Sequence, residues 1–175
     1  MEEKQKLLER LHSVNIIKQG DFTLRSGVVS PVYVDLRSLV AYPAILQQLS
    51  MAVWNRIKAC QPDLLCGVPY TALPIAVSIS LAKNVPMIIC RKEAKDYGTK
   101  KQVEGVFSPG QTCLVIEDVI TTGASVIKTI SLLQKEGLQV TDIVVCVDRE
   151  EGGRVFLEEK NYRVHSVFTL SELAA

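Results

Sequence analysis

Two adjacent carboxylates, Glu117 and Asp118, are followed within a few positions by Thr121, Thr122, Gly123 and Ser125. A turn of hydroxyl residues and glycine that opens a helix gathers backbone N–H groups around one point, which makes an anion site, most naturally for phosphate. The acidic pair would repel a phosphate, so it has no place there as a phosphate ligand. It makes sense if the same ligand carries hydroxyls, or a cation, next to its phosphate, as a sugar phosphate does. Acidic residues at the end of a parallel strand, ahead of a glycine-bearing turn, also occur in α/β proteins that hold no sugar. The segment alone leaves both readings open.

A second concentration of chemistry lies in Arg91–Lys101, RKEAKDYGTKK, where Arg91, Lys92, Lys95, Lys100 and Lys101 surround Gly98. Such a run reads as a solvated loop. It also reads as a lid over a polyanion, with cations aimed at charge that grows in a transition state. Arg149 follows Asp148 at the end of another apolar run and adds a further cation.

The pattern around these residues predicts how they are positioned. Cys113–Ile116 is a short continuous apolar run, as a strand buried on both faces requires, and Val126, Ile127, Ile130 and Leu133 follow at helical spacing. Leu7, Leu8, Leu11 and Val14 mark a first amphipathic helix. Phe22–Leu24 and Val32–Leu36 read as two short extended pieces of a flap, with Ser26-Gly27 and Ser30-Pro31 as turns between them. A helix is expected from Pro43 to about Ala59. Strand Leu64–Val68 then leads into helix Ala72–Lys83, strand Pro86–Cys90 into the charged run, and strand Thr112–Ile116 into helix Ala124–Lys135. Strand Ile143–Val147 leads through Gly152-Gly153 into a short helix, and Val164–Thr169 is the last strand. This alternation predicts an α/β fold with a mostly parallel, doubly wound sheet. Ligands of such sheets bind outside the carboxyl ends of the strands, where Tyr70, Thr71, Arg91, Lys92, Glu117–Ser125 and Arg149 all fall.

Composition narrows the classes. The 175 residues suit one domain, 1–175, with 47% hydrophobic and 22% charged residues and a net charge of +1. No global field favours nucleic acid or an anionic membrane, and no apolar run reaches the ~20 residues of a membrane span. The charged opening Met1-Glu2-Glu3-Lys4 is unlike a secretory signal. Cys60, Cys66, Cys90, Cys113 and Cys146 form no C-x-x-C pair and read as reduced, mostly buried thiols of a cytoplasmic protein. G-x-G-x-x-G and the Walker pattern are absent from the sequence.

The order EDVITTG-x-S resembles the signature of the type I phosphoribosyltransferases. Gly20–Gly27, Ser30-Pro31, RKEAKDYG and Asp148-Arg149 extend the resemblance to orotate phosphoribosyltransferases over about Ile17 to Leu173. Gly67–Pro74, Asp96–Lys100 and Gln134–Leu138 are most similar to the phosphoribosyltransferase half of bifunctional UMP synthase.

The resemblance implies a type I phosphoribosyltransferase fold with a flap, or hood, over about 17–40 and a lid over about 91–103. It also implies transfer of the phosphoribosyl group of phosphoribosyl pyrophosphate to orotate, in the presence of Mg²⁺. Glu117 and Asp118 would hold the ribose hydroxyls. Val119, Ile120, Thr121, Thr122, Gly123, Ala124 and Ser125 would line the site, with Thr121–Ser125 around the 5′-phosphate. Arg25, Tyr70, Thr71 and Tyr97 would also touch phosphoribosyl pyrophosphate, while Arg91, Lys92 and Lys95 clamp its pyrophosphate. Lys95, Arg91, Lys92 and Asp118 would carry the catalysis. Tyr33, Val34 and Thr121 would meet the orotate ring, and Arg149 its carboxylate. A homodimer sharing its lids is implied, as is a fused or partner orotidine 5′-monophosphate decarboxylase.

Tyr97, Thr71 and Arg25 stand where bacterial single-domain enzymes have His, Lys and Lys. The first two replacements also mark the UMP synthase group. A regulator that senses phosphoribosyl pyrophosphate without catalysis is the alternative on the same fold. His12 and His165 receive no role.

Overall fold

The computed structural model describes residues 2–23, 29–93 and 101–174. In chain order the elements are α1 (Glu2–Ser13), β1 (Ile17–Thr23), β2 (Val29–Val34), a 3-10 turn (Leu36–Ala41), α2 (Pro43–Arg56), β3 (Leu64–Gly67), α3 (Ala72–Lys83) and β4 (Met87–Cys90). They continue with β5 (Val103–Glu104), β6 (Cys113–Ile120), α4 (Ala124–Lys135), β7 (Asp142–Asp148), α5 (Gly153–Glu158), β8 (Arg163–Thr169) and α6 (Leu170–Ala174). None of the described helices is long and apolar enough to cross a membrane.

The main sheet runs β5-β4-β3-β6-β7-β8, parallel throughout except for the β4–β5 edge. Successive strand side chains point to opposite faces, so the central strands feed two cores. Leu65, Leu114, Ile116 and Val144 pack with α1, α2 and α3. Their neighbours Leu64, Cys66, Cys113, Val115, Ile143 and Val145 pack with α4 and α5. Burial on both faces is why these strands read as continuous apolar runs.

Besides the first extended piece, expected at Phe22–Leu24 and found at Ile17–Thr23, and the helix from Pro43, three expectations about boundaries change. Ser30-Pro31 lies inside β2, not in a turn, because the β1–β2 register slips between Gln19 and Phe22. Pro31 has no N–H to donate and is accommodated at that irregularity in a two-stranded ribbon. The segment from Leu36 is a 3-10 turn, where the Asp35 carboxylate accepts from Arg37 N at 3.2 Å. In the third case β6 does not end at Ile116. Its ladder with β7 continues through Glu117↔Val145 to Ile120↔Asp148, so both carboxylates sit within the strand. The expected helix from Pro43 closes at Arg56, and the short β5 and α6 had no periodic signal of their own.

Candidate active site

At the carboxyl end of β6 the chain turns through Thr121–Gly123 into α4. Gly123 caps the helix with φ +78°, a left-handed conformation that a side chain resists. A Cβ there would also lie 3.2 Å from Phe156. Gly123 leaves the first-turn N–H groups of α4 without a side-chain cap. That is the arrangement a phosphate requires.

Glu117 is buried, with its Oε2 accepting from Ser125 Oγ at 2.6 Å and its Oε1 from the Asp118 N–H at 3.2 Å. Burial pushes its carboxyl well above the usual range, and the neighbouring Asp118 adds to the shift. Asp118 is half-buried.

Beneath the turn lies α5. A Cβ on Gly153 would collide with Thr121 O and come within 2.9 Å of Gly123 N. The start of α5 therefore fits against the Thr121–Gly123 turn only because Gly153 has no side chain.

On the other side of β6, the β3–α3 loop carries Tyr70 and Thr71. Tyr70 is 66% exposed, with Lys92 Nζ 4.4 Å from its ring centroid. Arg91 N donates to Gln102 O at 2.8 Å, and its Nε pairs with Glu104 at 3.1 Å, which ties the start of the charged run to β5. A cleft of about 310 Å³ lies between Val68-Pro69, Cys90–Glu93 and the α4 residues Ser125, Lys128 and Thr129. A larger cleft of about 710 Å³, between α1 and α2, contains none of the candidate residues.

The third wall comes from β7 and the flap. Arg149 is buried, its Nε bonded to Glu151 at 2.8 Å and its Nη2 to Ser30 Oγ at 3.1 Å. Its backbone N–H donates to Ile120 O at 3.1 Å, beside the Thr121–Gly123 turn. On β2, Tyr33 lies against Phe22 with ring centroids 5.4 Å apart, and its hydroxyl accepts from Arg37 at 3.0 Å. Val34 is half-buried.

Cys60, Asp142 and His165 form a group of potential metal ligands, with ligand atoms within 4.8 Å of one another. Asp142 opens β7, so the group sits at the opposite strand ends from the candidate site. Burial raises the Asp142 carboxyl pKa. Hydrogen bonds from Arg163, His165 and Thr141 outweigh that and hold it well below the usual range. Burial and the Asp142 bond push the Cys60 thiol up. The group is an ion-paired network joining the turn after α2 to β7 and β8, and its thiol does not suit a hard cation.

A family profile, the phosphoribosyl transferase domain, matches residues 36–170. The orotate phosphoribosyltransferase of Chlamydia caviae is 45% identical over 165 residues, covering 93% of this chain and 80% of that protein. The chain belongs to the orotate phosphoribosyltransferase family. The uridine 5′-monophosphate synthase of Bos taurus is 50% identical over 94% of this chain, but the chain spans only 35% of that protein's length. The solved UMP synthase of Leishmania donovani superposes with a TM-score of 0.87 at 38% identity, over 96% of this chain and 36% of that one.

Of the residues expected in an orotate phosphoribosyltransferase site, the fold brings Glu117, Asp118 and Thr121–Ser125 together on one strand-turn-helix unit. Tyr70 and Lys92 are in contact, and Arg149 reaches the flap. Tyr33 makes its described contacts within the flap segment, with Phe22 and Arg37. Arg25, Lys95 and Tyr97 lie outside the described residues.

Sequence reasoning passed over Ser30, Glu104, Glu151 and Gly153 as site components. Ser30-Pro31 carries part of the family resemblance and reads otherwise as a turn, and Gly152-Gly153 reads as a turn into a helix; neither pair assigns Ser30 or Gly153 a role in the site. Glu104 and Glu151 carried no signal, because single surface glutamates are common.

Proposed function

We propose that the chain transfers the phosphoribosyl group of 5-phosphoribosyl 1-pyrophosphate to N1 of orotate. The products are orotidine 5′-monophosphate and pyrophosphate, in the route to UMP. The observation that carries this reading is a buried guanidinium, Arg149, beside the phosphate turn of β6–α4 and bonded to the flap. A sugar phosphate on the turn and a carboxylated base against Arg149 would occupy adjacent walls of one site.

In this reading the first-turn N–H groups of α4, with Thr121, Thr122 and Ser125, hold the 5′-phosphate. Glu117 and Asp118 take the ribose hydroxyls. Orotate lies between Arg149 and the flap residues Tyr33 and Val34, with Thr121 near it. Thr71, Tyr70, Arg91, Lys92 and the lid residue Lys95 surround the pyrophosphate, and Arg25 and Tyr97 complete the contacts. Cleavage at C1 leaves an oxocarbenium-like sugar, so no protein nucleophile is needed. The chain contributes positioning and stabilisation of the departing charge. Bound Mg²⁺, held mainly by substrate oxygens, would offset negative charge on the pyrophosphate. The half-buried, oxygen-only side chain of Asp118 suits a hard ion nearby.

The chain is read as one domain, 1–175. A homodimer with shared lids is proposed, supported by exposed Val77 and Leu81 on α3 and Ile89 on the same face of β4. The UMP synthase relatives support a fused or partner orotidine 5′-monophosphate decarboxylase. Five free thiols support a reducing, cytoplasmic setting.

The test is loss of orotate absorbance with purified protein, phosphoribosyl pyrophosphate and Mg²⁺, with uracil and purine bases as controls. Consumption of orotate alone, stopped by chelator, is expected. Folded protein that binds phosphoribosyl pyrophosphate but turns over no base would favour the sensing regulator.

A further inference from the structure

Arg149 is a buried cation whose orientation is set before any ligand arrives. Its guanidinium offers five N–H donors in a fixed plane. The Nε donor is used by Glu151 Oε1 at 2.8 Å, and one Nη2 donor by Ser30 Oγ at 3.1 Å. Among the described residues nothing takes the Nη1 donors or the second of Nη2, which are at the end of the fork that can meet a carboxylate bidentately.

Ser30 is suited to this task by its own bonds. Its hydroxyl proton goes to Val32 O at 2.8 Å, and its oxygen also accepts from Val32 N at 3.3 Å. With its only proton committed, the buried hydroxyl meets Arg149 as an acceptor. Glu151 supplies the compensating charge that a buried guanidinium needs. Its side chain is 29% exposed against 6% for that of Arg149, so it braces the cation from the rim of the site.

We propose that Glu151 and Ser30 are positioning residues that aim Arg149 at the carboxylate of the base, and so help set the preference for a carboxylated pyrimidine. Neither touches the substrate in this scheme. They act by pre-orienting the fork, so that binding does not have to restrict a long flexible side chain. The inference rests on the reading that Arg149 meets the orotate carboxylate.

Steady-state kinetics of Glu151→Ala, Glu151→Gln, Ser30→Ala and Arg149→Met, and of Glu151→Ala combined with Arg149→Met, test it. Glu151→Ala is expected to raise KM for orotate about tenfold, the scale of one charge-assisted hydrogen bond. KM for phosphoribosyl pyrophosphate and kcat should change less than about twofold on the same scale. Glu151→Gln keeps an acceptor for Nε and should recover most of the loss. Ser30→Ala, an independent arm should Glu151→Ala fold poorly, is expected to raise the same KM several-fold. Adding Glu151→Ala to Arg149→Met should cost nothing further in kcat/KM for orotate, because its effect runs through Arg149.

An unchanged orotate KM in Glu151→Ala and Ser30→Ala, alongside a large rise in Arg149→Met, would sink the positioning role and leave the Arg149 assignment standing. An equal loss from Glu151→Ala in the Arg149→Met background would also overturn it. If Arg149→Met leaves the orotate KM unchanged, the assignment of Arg149 itself fails, and the inference with it.

Discussion

The Ser125 hydroxyl donates to Glu117 Oε2 at 2.6 Å, joining the first turn of α4 to the acidic end of β6. The bond spans the turn proposed to hold the 5′-phosphate. A ligand that binds the turn at one end and the carboxylates at the other meets one rigid piece, not two independent groups.

Ser125→Ala removes that link and leaves Glu117 with one fewer donor. KM for phosphoribosyl pyrophosphate is expected to rise about tenfold, with a loss of about 1–3 kcal/mol in stability. Initial-rate kinetics and denaturant melts measure the two effects separately.

Glu117 makes the fold pH-sensitive in a direction that follows from burial. Its native carboxyl titrates above the ordinary value of 4.5, so above that pH the native state keeps a proton that the unfolded chain has released. Stability therefore falls as pH rises from 4.5 toward the native pKa. Glu117→Gln should melt higher than the parent at pH 8, and the gain should shrink toward zero at pH 4.5 or below. The same variant should lose activity by orders of magnitude. A melting difference that grows on acidification would contradict the burial argument.

Gly153→Ala tests the support beneath the turn. The added methyl meets Thr121 O and Gly123 N, both backbone atoms that a rotamer change cannot move away. A lowered melting temperature and a rise of at least about tenfold in KM for phosphoribosyl pyrophosphate are expected, as for overpacking at a tight site. Calorimetric titration with phosphoribosyl pyrophosphate checks the second effect directly.

Lys95→Ala should cut kcat by orders of magnitude while phosphoribosyl pyrophosphate still binds. If lids are shared across a dimer, mixing this variant with Asp118→Asn under subunit exchange should restore part of the activity. Proven exchange with no recovery would mean that each site is built within one subunit.

Much of this was legible in the sequence because the signals were local. Strand-turn-helix units declare themselves through apolar runs, small-residue turns and helical spacing, so β3–α3, β6–α4 and β7–α5 were placed within a few residues. The end of β6 was not, since polar residues at a strand's end look like a loop unless the neighbouring strand is known to pair with them. Glu117 and Asp118 remain in the ladder because β7 continues alongside. The Ser30 brace of Arg149 was illegible for a related reason. Ser30 lies 119 positions away from it, and no period or spacing carries information over that range. Gly153 read as turn punctuation, whereas its role is to let one backbone approach another.

The strand order β5-β4-β3-β6-β7-β8 places a change of winding direction between β3 and β6. The residues proposed to hold the leaving group hang from the β3–β4 side, and those proposed to recognise the base hang from β7 and the flap. The strand-turn-helix unit of β6 and α4, proposed to carry the phosphosugar, stands between them. Change can therefore accumulate on one side without disturbing the other. On the proposed reading, a descendant could exchange Arg149, Ser30 and the flap for a different nucleobase while inheriting the strand-turn-helix grip on the sugar phosphate intact.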